Sequence, residues 1–229
     1  MNSKKTSKSF IRIFGNSQHK KELLGLMRYR FNHYEDLFSY IETKANKLKK
    51  PLTYKDLLEY LDFSGTFDEQ FFIKPTKRTD LINKSLQRAL KAVKLSKNLP
   101  KAFTYLDIGA GDASKTDTIR KMLGLSSKQT YCLDLSETPF VISKESSICN
   151  YFLYDGGSDI PFPNNKFNLV TIFLTLHHIV PIEVYIEELF RIIKHGGSII
   201  VREHDVKNQE QDDFVRVIHL LFNVVNNVS

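Results

Sequence analysis

Apolar residues along this 229-residue chain recur first with the period of a helix and later as short runs separated by helical stretches. In the leading part, Tyr34, Leu37, Phe38 and Ile41 are spaced i, i+3, i+4, i+7, inside a helical pattern from about Lys20 to Lys50. Pro51 breaks that pattern. Thr53 is placed to cap a second helix, in which Tyr54, Leu57, Leu58 and Leu61 repeat the spacing and Ser64-Gly65-Thr66 ends it. An aromatic-rich loop from Phe67 to Pro75 follows, and Thr79 is expected to cap a third helix with Leu86, Leu90 and Val93 on one face. Residues 1–9 are polar, carry three lysines, and are expected to be disordered.

From residue 105 the pattern changes. Tyr105–Ile108, Thr130–Asp134, Asn150–Asp155 and Phe167–Leu174 are short apolar runs, and a fifth leads through Ile199 and Ile200 to Val201. Between the first two lies a helical stretch, Ser114–Leu123. After the fourth, Pro181 is suited to open a helix with Ile182, Tyr185, Ile186, Leu189 and Ile193 as its buried stripe and Gly196 as its stop. Phe214–Val225 reads as a last amphipathic helix. Strands alternating with helices predict an α/β fold, a parallel sheet with helices on both faces.

The chemistry enters at Tyr105-Leu106-Asp107-Ile108-Gly109-Ala110-Gly111-Asp112-Ala113. A strand ends in an acid and turns through two glycines, where the backbone can pass close to a ligand and the next helix offers its unpaired N–H groups. A dinucleotide fingerprint needs a third glycine where Ser114 stands. Asp134 ends the second run, 23 residues after Gly111, where a ribose-binding carboxylate belongs in a βαβ unit. Asp155 ends the third.

Asp107-x-Gly109-x-Gly111 resembles motif I of the class I S-adenosylmethionine (SAM)-dependent methyltransferases, and Ile192-Ile193-Lys194-His195-Gly196-Gly197 resembles the turn before their fifth strand. The likeness runs from about Thr79 to Asp205 and is nearest to the broad type 11 group. It implies a Rossmann-like sheet and SAM as cofactor. By the same resemblance Asp107 would orient the methionine amine, directly or through water, and Gly109, Ala110 and Gly111 would let the backbone approach. Asp134 would bind the ribose, with Leu135 beside it. Asp155 and Gly156 would meet the adenine, or Gly156-Gly157-Ser158 would be a plain turn. Leu174 would line the pocket at the end of the fourth strand.

The catalytic candidates are His177 and His178, at the end of the fourth strand, and Glu203 and His204, at the end of the fifth. An imidazole at such a place can act as a general base near neutral pH; the alternative is a lining without proton transfer. The Pro-Pro-aromatic signature of adenine amino-methyltransferases, a cysteine nucleophile after the fourth strand, and the Lys-Asp-Lys-Glu tetrad of ribose 2′-O enzymes cannot be placed, and no metal-ligand spacing is present. The expected activity is methyl transfer to an O or N acceptor. A scaffold that has lost catalysis is the rival reading.

Charge adds one expectation. Residues 1–101 hold 22 Lys and Arg against 10 Asp and Glu, whereas residues 102–229 hold 11 against 16. The basic leading part points to nucleic acid or another polyanion, or else to a solvated lysine-rich surface. Residues 1–78 are therefore expected to be a basic helical extension serving as lid or recognition element, and 79–229 the SAM-binding domain. The C-terminus is expected to lack the family's last strands, leaving an open sheet edge for a protein partner. Cys132 and Cys149 are read as buried thiols of a reduced, cytoplasmic compartment, and no apolar stretch suggests a membrane span.

Overall fold

The computed structural model describes residues 3–28, 31–48, 50–62, 76–93, 95, 99–111, 113–135, 148–157 and 159–225. In chain order the elements are α1 (Ser3–Phe14), α2 (Ser17–Met27), α3 (Tyr34–Lys47), α4 (Tyr54–Tyr60), α5 (Thr76–Ala92), β1 (Tyr105–Ile108), α6 (Ser114–Met122), β2 (Thr130–Asp134), β3 (Asn150–Leu153), β4 (Phe167–Phe173), α7 (Ile182–Ile192), β5 (Ile193–Arg202) and α8 (Gln209–Val225). They fall into two compact units, residues 1–76 with 205–229, and residues 77–204.

The first unit is helical. Phe10, Ile13, Leu23, Met27, Phe31, Leu37, Ile41, Leu57 and Leu61 are buried with Val217, Leu220 and Leu221 of α8. Three expectations change here. The segment expected to be disordered is the start of α1, because Phe10, Ile13 and Phe14 give it an apolar face and Ser7 Oγ accepts the Leu52 N–H at 2.9 Å. The helical stretch from Lys20 to Lys50 is two helices, since His33 takes a left-handed φ of 48° just before α3 while Phe31 turns into the core. Residues 205–229, expected to belong with the sheet, pack instead with the N-terminal helices. Their apolar face meets that core, and Asp213 accepts from Ser9 Oγ at 2.8 Å and pairs with Arg12 at 2.5 Å. The expected loop from Phe67 to Pro75 lies outside the described residues.

The second unit carries a five-stranded sheet of order β3-β2-β1-β4-β5, every neighbouring pair parallel. β1 therefore lies beside both β2 and β4, and the point where strand order reverses is between β1 and β4. Side chains alternate across the sheet as the pleat requires. Leu106, Ile108, Val170 and Ile172 face a core shared with Tyr185, Leu189 and Ile192 of α7. Tyr105, Leu169 and Phe173 face one shared with Leu86 of α5 and Ile119 of α6. Gly196 does not stop α7, which ends at Ile192; it lies in a bulge of β5, where a Cβ on Gly197 would be 2.9 Å from the Lys194 carbonyl oxygen and 3.1 Å from that of Asn168.

The two cysteines also differ from expectation. Cys132 of β2 and Cys149, just before β3, have Cα atoms 6.3 Å apart and form a disulfide. Parallel pairing of β2 with β3 brings the two together beneath Ala110 and Ala113. Among the described residues, no helix is long and apolar enough to cross a membrane.

Candidate functional site

The carboxyl ends of β1, β2 and β4 converge on the loop from Gly109 to Ala113, whose Asp112 lies outside the described residues. Gly109 donates its N–H to the Leu133 carbonyl at 2.8 Å, which ties the loop to β2. Gly109 and Gly111 are both left-handed, at φ 70° and 54°, a conformation that favours glycine. Their surroundings differ. A Cβ on Gly109 would run into Thr175, with Cβ and Cγ2 of that residue at 2.8 and 2.7 Å. A Cβ on Gly111 would meet no atom of the described residues within 4 Å. Gly109 is thus needed by the protein's own packing, whereas Gly111 leaves a cradle that a side chain would fill.

Asp134 stands beside that cradle. One carboxylate oxygen accepts the Gly111 N–H at 2.7 Å and the other the Leu135 N–H at 2.7 Å. A carboxylate is an acceptor of the kind that ribose hydroxyls donate to. Leu135 is 64% exposed and close to the left-handed Gly156, so it offers an apolar surface of the kind a base can stack on. Asp155 accepts the Gly157 N–H at 2.9 Å, a local bond in the stretch that follows β3. Ala110 is buried with Ala113.

Asp107 sits deeper than a direct contact with an amine would have it. It is 2% exposed, and its oxygens accept from Thr116 Oγ1 at 2.5 Å and Thr171 Oγ1 at 2.6 Å. Thr171 is bonded in turn to the Tyr105 hydroxyl at 2.8 Å. Burial raises the Asp107 pKa, against the lowering effect of the two threonine hydroxyls. This carboxyl anchors β1 to β4 and α6, and through them the glycine loop. Sequence reading missed both threonines. The one available signal was Thr171, a lone polar residue in an apolar strand, opposite Asp107 in the β1–β4 register.

After β4 the backbone turns sharply. Leu174 has φ 56°, a left-handed conformation costly for a bulky side chain, and its N–H donates to the Arg202 carbonyl at 2.8 Å. Such strain at a strand end facing a crevice is the kind that marks functional sites. Glu203 accepts from the N–H groups of Thr175 and Leu176 and bonds to His177 Nδ1 at 2.7 Å. The His177 ring lies 4.0 Å from that of His178 and 5.2 Å from that of His204, between centroids. All four catalytic candidates therefore meet at one strand-end cluster. Partial desolvation, reinforced by His177, lowers the His178 pKa.

An adenosyl sulfonium cofactor fits this donor set, with the cradle at Gly111, the carboxylate of Asp134 and the apolar Leu135 in sequence along one rim. Comparisons with known proteins agree. Residues 106–201 match the family model described as a methyltransferase domain. The chain is 31% identical over 111 residues to the demethylmenaquinone methyltransferase of Geobacillus sp. (strain WCH70), covering 46% of this chain and 47% of that protein. It is 28% identical over 129 residues to the ubiquinone/menaquinone biosynthesis C-methyltransferase UbiE of Burkholderia cenocepacia (strain HI2424), covering 54% and 53% respectively. The chain thus spans about half the length of the curated relatives it matches. Among solved structures, the YcgJ protein of Bacillus subtilis superposes with a TM-score of 0.46 at 19% identity, over 60% of this chain and 58% of that one.

Proposed function

We propose that this chain, whose residues 106–201 match the methyltransferase-domain family model, is a class I SAM-dependent methyltransferase that transfers a methyl group from SAM to an oxygen or nitrogen acceptor. One observation carries the reading: the left-handed Gly111, open where a Cβ would be, beside an Asp134 carboxylate placed to accept from a diol. When bound, SAM supplies an electrophilic methyl group on a sulfonium leaving group. The protein's share is orientation. Asp134 holds the loop and the ribose, Leu135 packs on the base, and Asp107 keeps the ends of β1 and β4 in register. The acceptor enters from the side of His177 and Glu203.

The basic helical unit is proposed to recognise the acceptor, and its excess of lysine favours RNA or another polyanion. A second reading follows from the names of the relatives. The similarity to a demethylmenaquinone methyltransferase and to a ubiquinone/menaquinone biosynthesis C-methyltransferase supports a carbon acceptor on a quinone-related substrate as the alternative.

Calorimetric titration with S-adenosylhomocysteine, run beside NAD and the Asp134→Ala variant, tests the proposal. Binding of S-adenosylhomocysteine but not NAD is expected, weakened in the variant by about 1–3 kcal/mol, the scale of a charged hydrogen bond left unmade. Folded protein that binds no S-adenosylhomocysteine, or a variant that binds it unchanged, would refute the assignment.

A further inference from the structure

The carboxylate that follows β5 is committed on both oxygens. Glu203 Oε1 accepts the Thr175 and Leu176 N–H groups at 2.8 and 2.7 Å, and Oε2 lies 2.7 Å from His177 Nδ1. Burial alone would raise the Glu203 pKa, but the bonds from His177 and from the loop backbone outweigh it and the net shift is downward. An ionised carboxylate can only accept hydrogen bonds. The proton shared with His177 therefore sits on Nδ1, and in the neutral ring the lone pair is on Nε2. The loop that carries this ring stands at the β1–β4 crevice, because Thr175, two residues earlier, packs against Gly109.

We propose that Glu203 is a positioning residue that holds His177 as its Nδ1–H tautomer, making Nε2 the atom that takes the proton of the methyl acceptor. This rests on the methyltransferase reading and deepens it by naming the acceptor class, a hydroxyl or amine that must lose a proton as it is methylated. A lone pair of the acceptor forms the new bond to the methyl carbon, and the sulfur–methyl bond breaks with its electron pair passing to sulfur. The acceptor's proton passes to Nε2. The resulting imidazolium is balanced by Glu203, and His178 and His204 lie beside it in the sheet unit, at 4.0 and 5.2 Å between ring centroids. The lowered pKa of His178 keeps that neighbour neutral near pH 7, so it adds no opposing charge.

Glu203→Gln separates positioning from mere loop anchoring. Glutamine keeps a carbonyl oxygen for the two backbone N–H groups but presents its amide N–H to Nδ1, so the anchored loop survives and the tautomer inverts. Long-range 1H–15N correlation spectra of the labelled protein read this directly. The expected result is a wild-type His177 protonated at Nδ1 and a Glu203→Gln His177 protonated at Nε2. The wild-type Nε2 resonance is also expected to move on saturation with S-adenosylhomocysteine. A wild-type ring protonated at Nε2, or a tautomer unchanged in the variant, overturns the positioning role. An Nε2 resonance that stays fixed while calorimetry shows the ligand bound overturns the role as base. With any proton-bearing acceptor that the wild type methylates, kcat is expected to fall about 10²- to 10⁴-fold in Glu203→Gln with KM for SAM unchanged; equal turnover overturns the proposal. Absence of S-adenosylhomocysteine binding by the folded wild type refutes the methyltransferase reading itself, whichever nitrogen carries the proton.

Discussion

Replacing Gly109 and Gly111 separately by alanine should separate the protein's need for glycine from the ligand's. Both residues are left-handed, at φ 70° and 54°, so alanine at either position costs about 1–2 kcal/mol in backbone strain. At Gly109 a further cost arises. The new Cβ falls 2.7 and 2.8 Å from Cγ2 and Cβ of Thr175, too close for carbon atoms. Thr175 cannot swing clear easily, because Glu203 accepts its N–H at 2.8 Å and its hydroxyl is spent on the Phe173 carbonyl at 3.1 Å. Overpacking of this kind adds about 1–3 kcal/mol, for a total of about 2–5 kcal/mol. At Gly111 no atom of the described residues lies within 4 Å of the new Cβ, and the loss stops at the backbone strain. For ligand affinity the order reverses. The Gly111→Ala methyl enters the cradle, and a tenfold or greater loss of S-adenosylhomocysteine affinity, about 1.4 kcal/mol, is expected. Because the chain has two compact units, hydrogen exchange of the β1 and β4 amides is a better stability readout than a single optical transition. Adding Thr175→Gly to Gly109→Ala should restore part of the lost stability, a coupling that a double-mutant cycle measures. A Gly109→Ala variant no less stable than Gly111→Ala, or a Gly111→Ala variant that binds like the wild type, would refute the reasoning.

Three other outcomes are expected. Burial raises the Asp107 pKa, so the folded state holds that proton more tightly than the unfolded chain does, and the stability it contributes is full below the unfolded value, about 3.9, and is lost as pH rises through the folded one. The stability of wild type relative to Asp107→Asn should therefore fall with rising pH in urea unfolding; a rise would show that the carboxylate is instead favoured by its threonine partners. Thiol titration of the unfolded, unreduced protein should find neither cysteine free, and reduction should lower the stability of the sheet unit by about 3 kcal/mol for the short loop that the Cys132–Cys149 bond closes; two free thiols before reduction would contradict the pairing. Exchange of Lys47, Lys49 and Lys50 for glutamine should lower the affinity for a polyanion, with single-stranded RNA as the probe, and flatten its salt dependence by about 0.7 in log–log slope for each phosphate no longer neutralised, whereas an unchanged affinity and slope would mean that these lysines are only solvated.

What could be read from the sequence is what each residue decides alone or with near neighbours. The five strands were legible because their apolar runs are short and punctuated, and the loop after β1 was legible because two glycines spaced by one mark a backbone that side chains would obstruct. The amphipathic pattern of α8 showed that it buries a face but not which face it meets, and Asp213 found its partners Ser9 and Arg12 some 200 positions away. The same limit hid the setting of Asp107. Its position at the end of β1 is written in the motif, yet its burial depends on Thr171, which becomes its neighbour only through the β1–β4 register, and on Thr116 of α6. Cys132 and Cys149 met for the same reason, through the pairing of β2 with β3. Glu203 shows most plainly what this costs a functional reading. As a residue after a strand it was one charged candidate among several, and only the turn at Leu174, folded back onto β5, places the Thr175 and Leu176 N–H groups and His177 Nδ1 around a single carboxylate. The chemistry proposed for His177 thus depends on a proton position that no motif encodes, set by the bonds that Glu203 makes with His177 and with the neighbouring backbone.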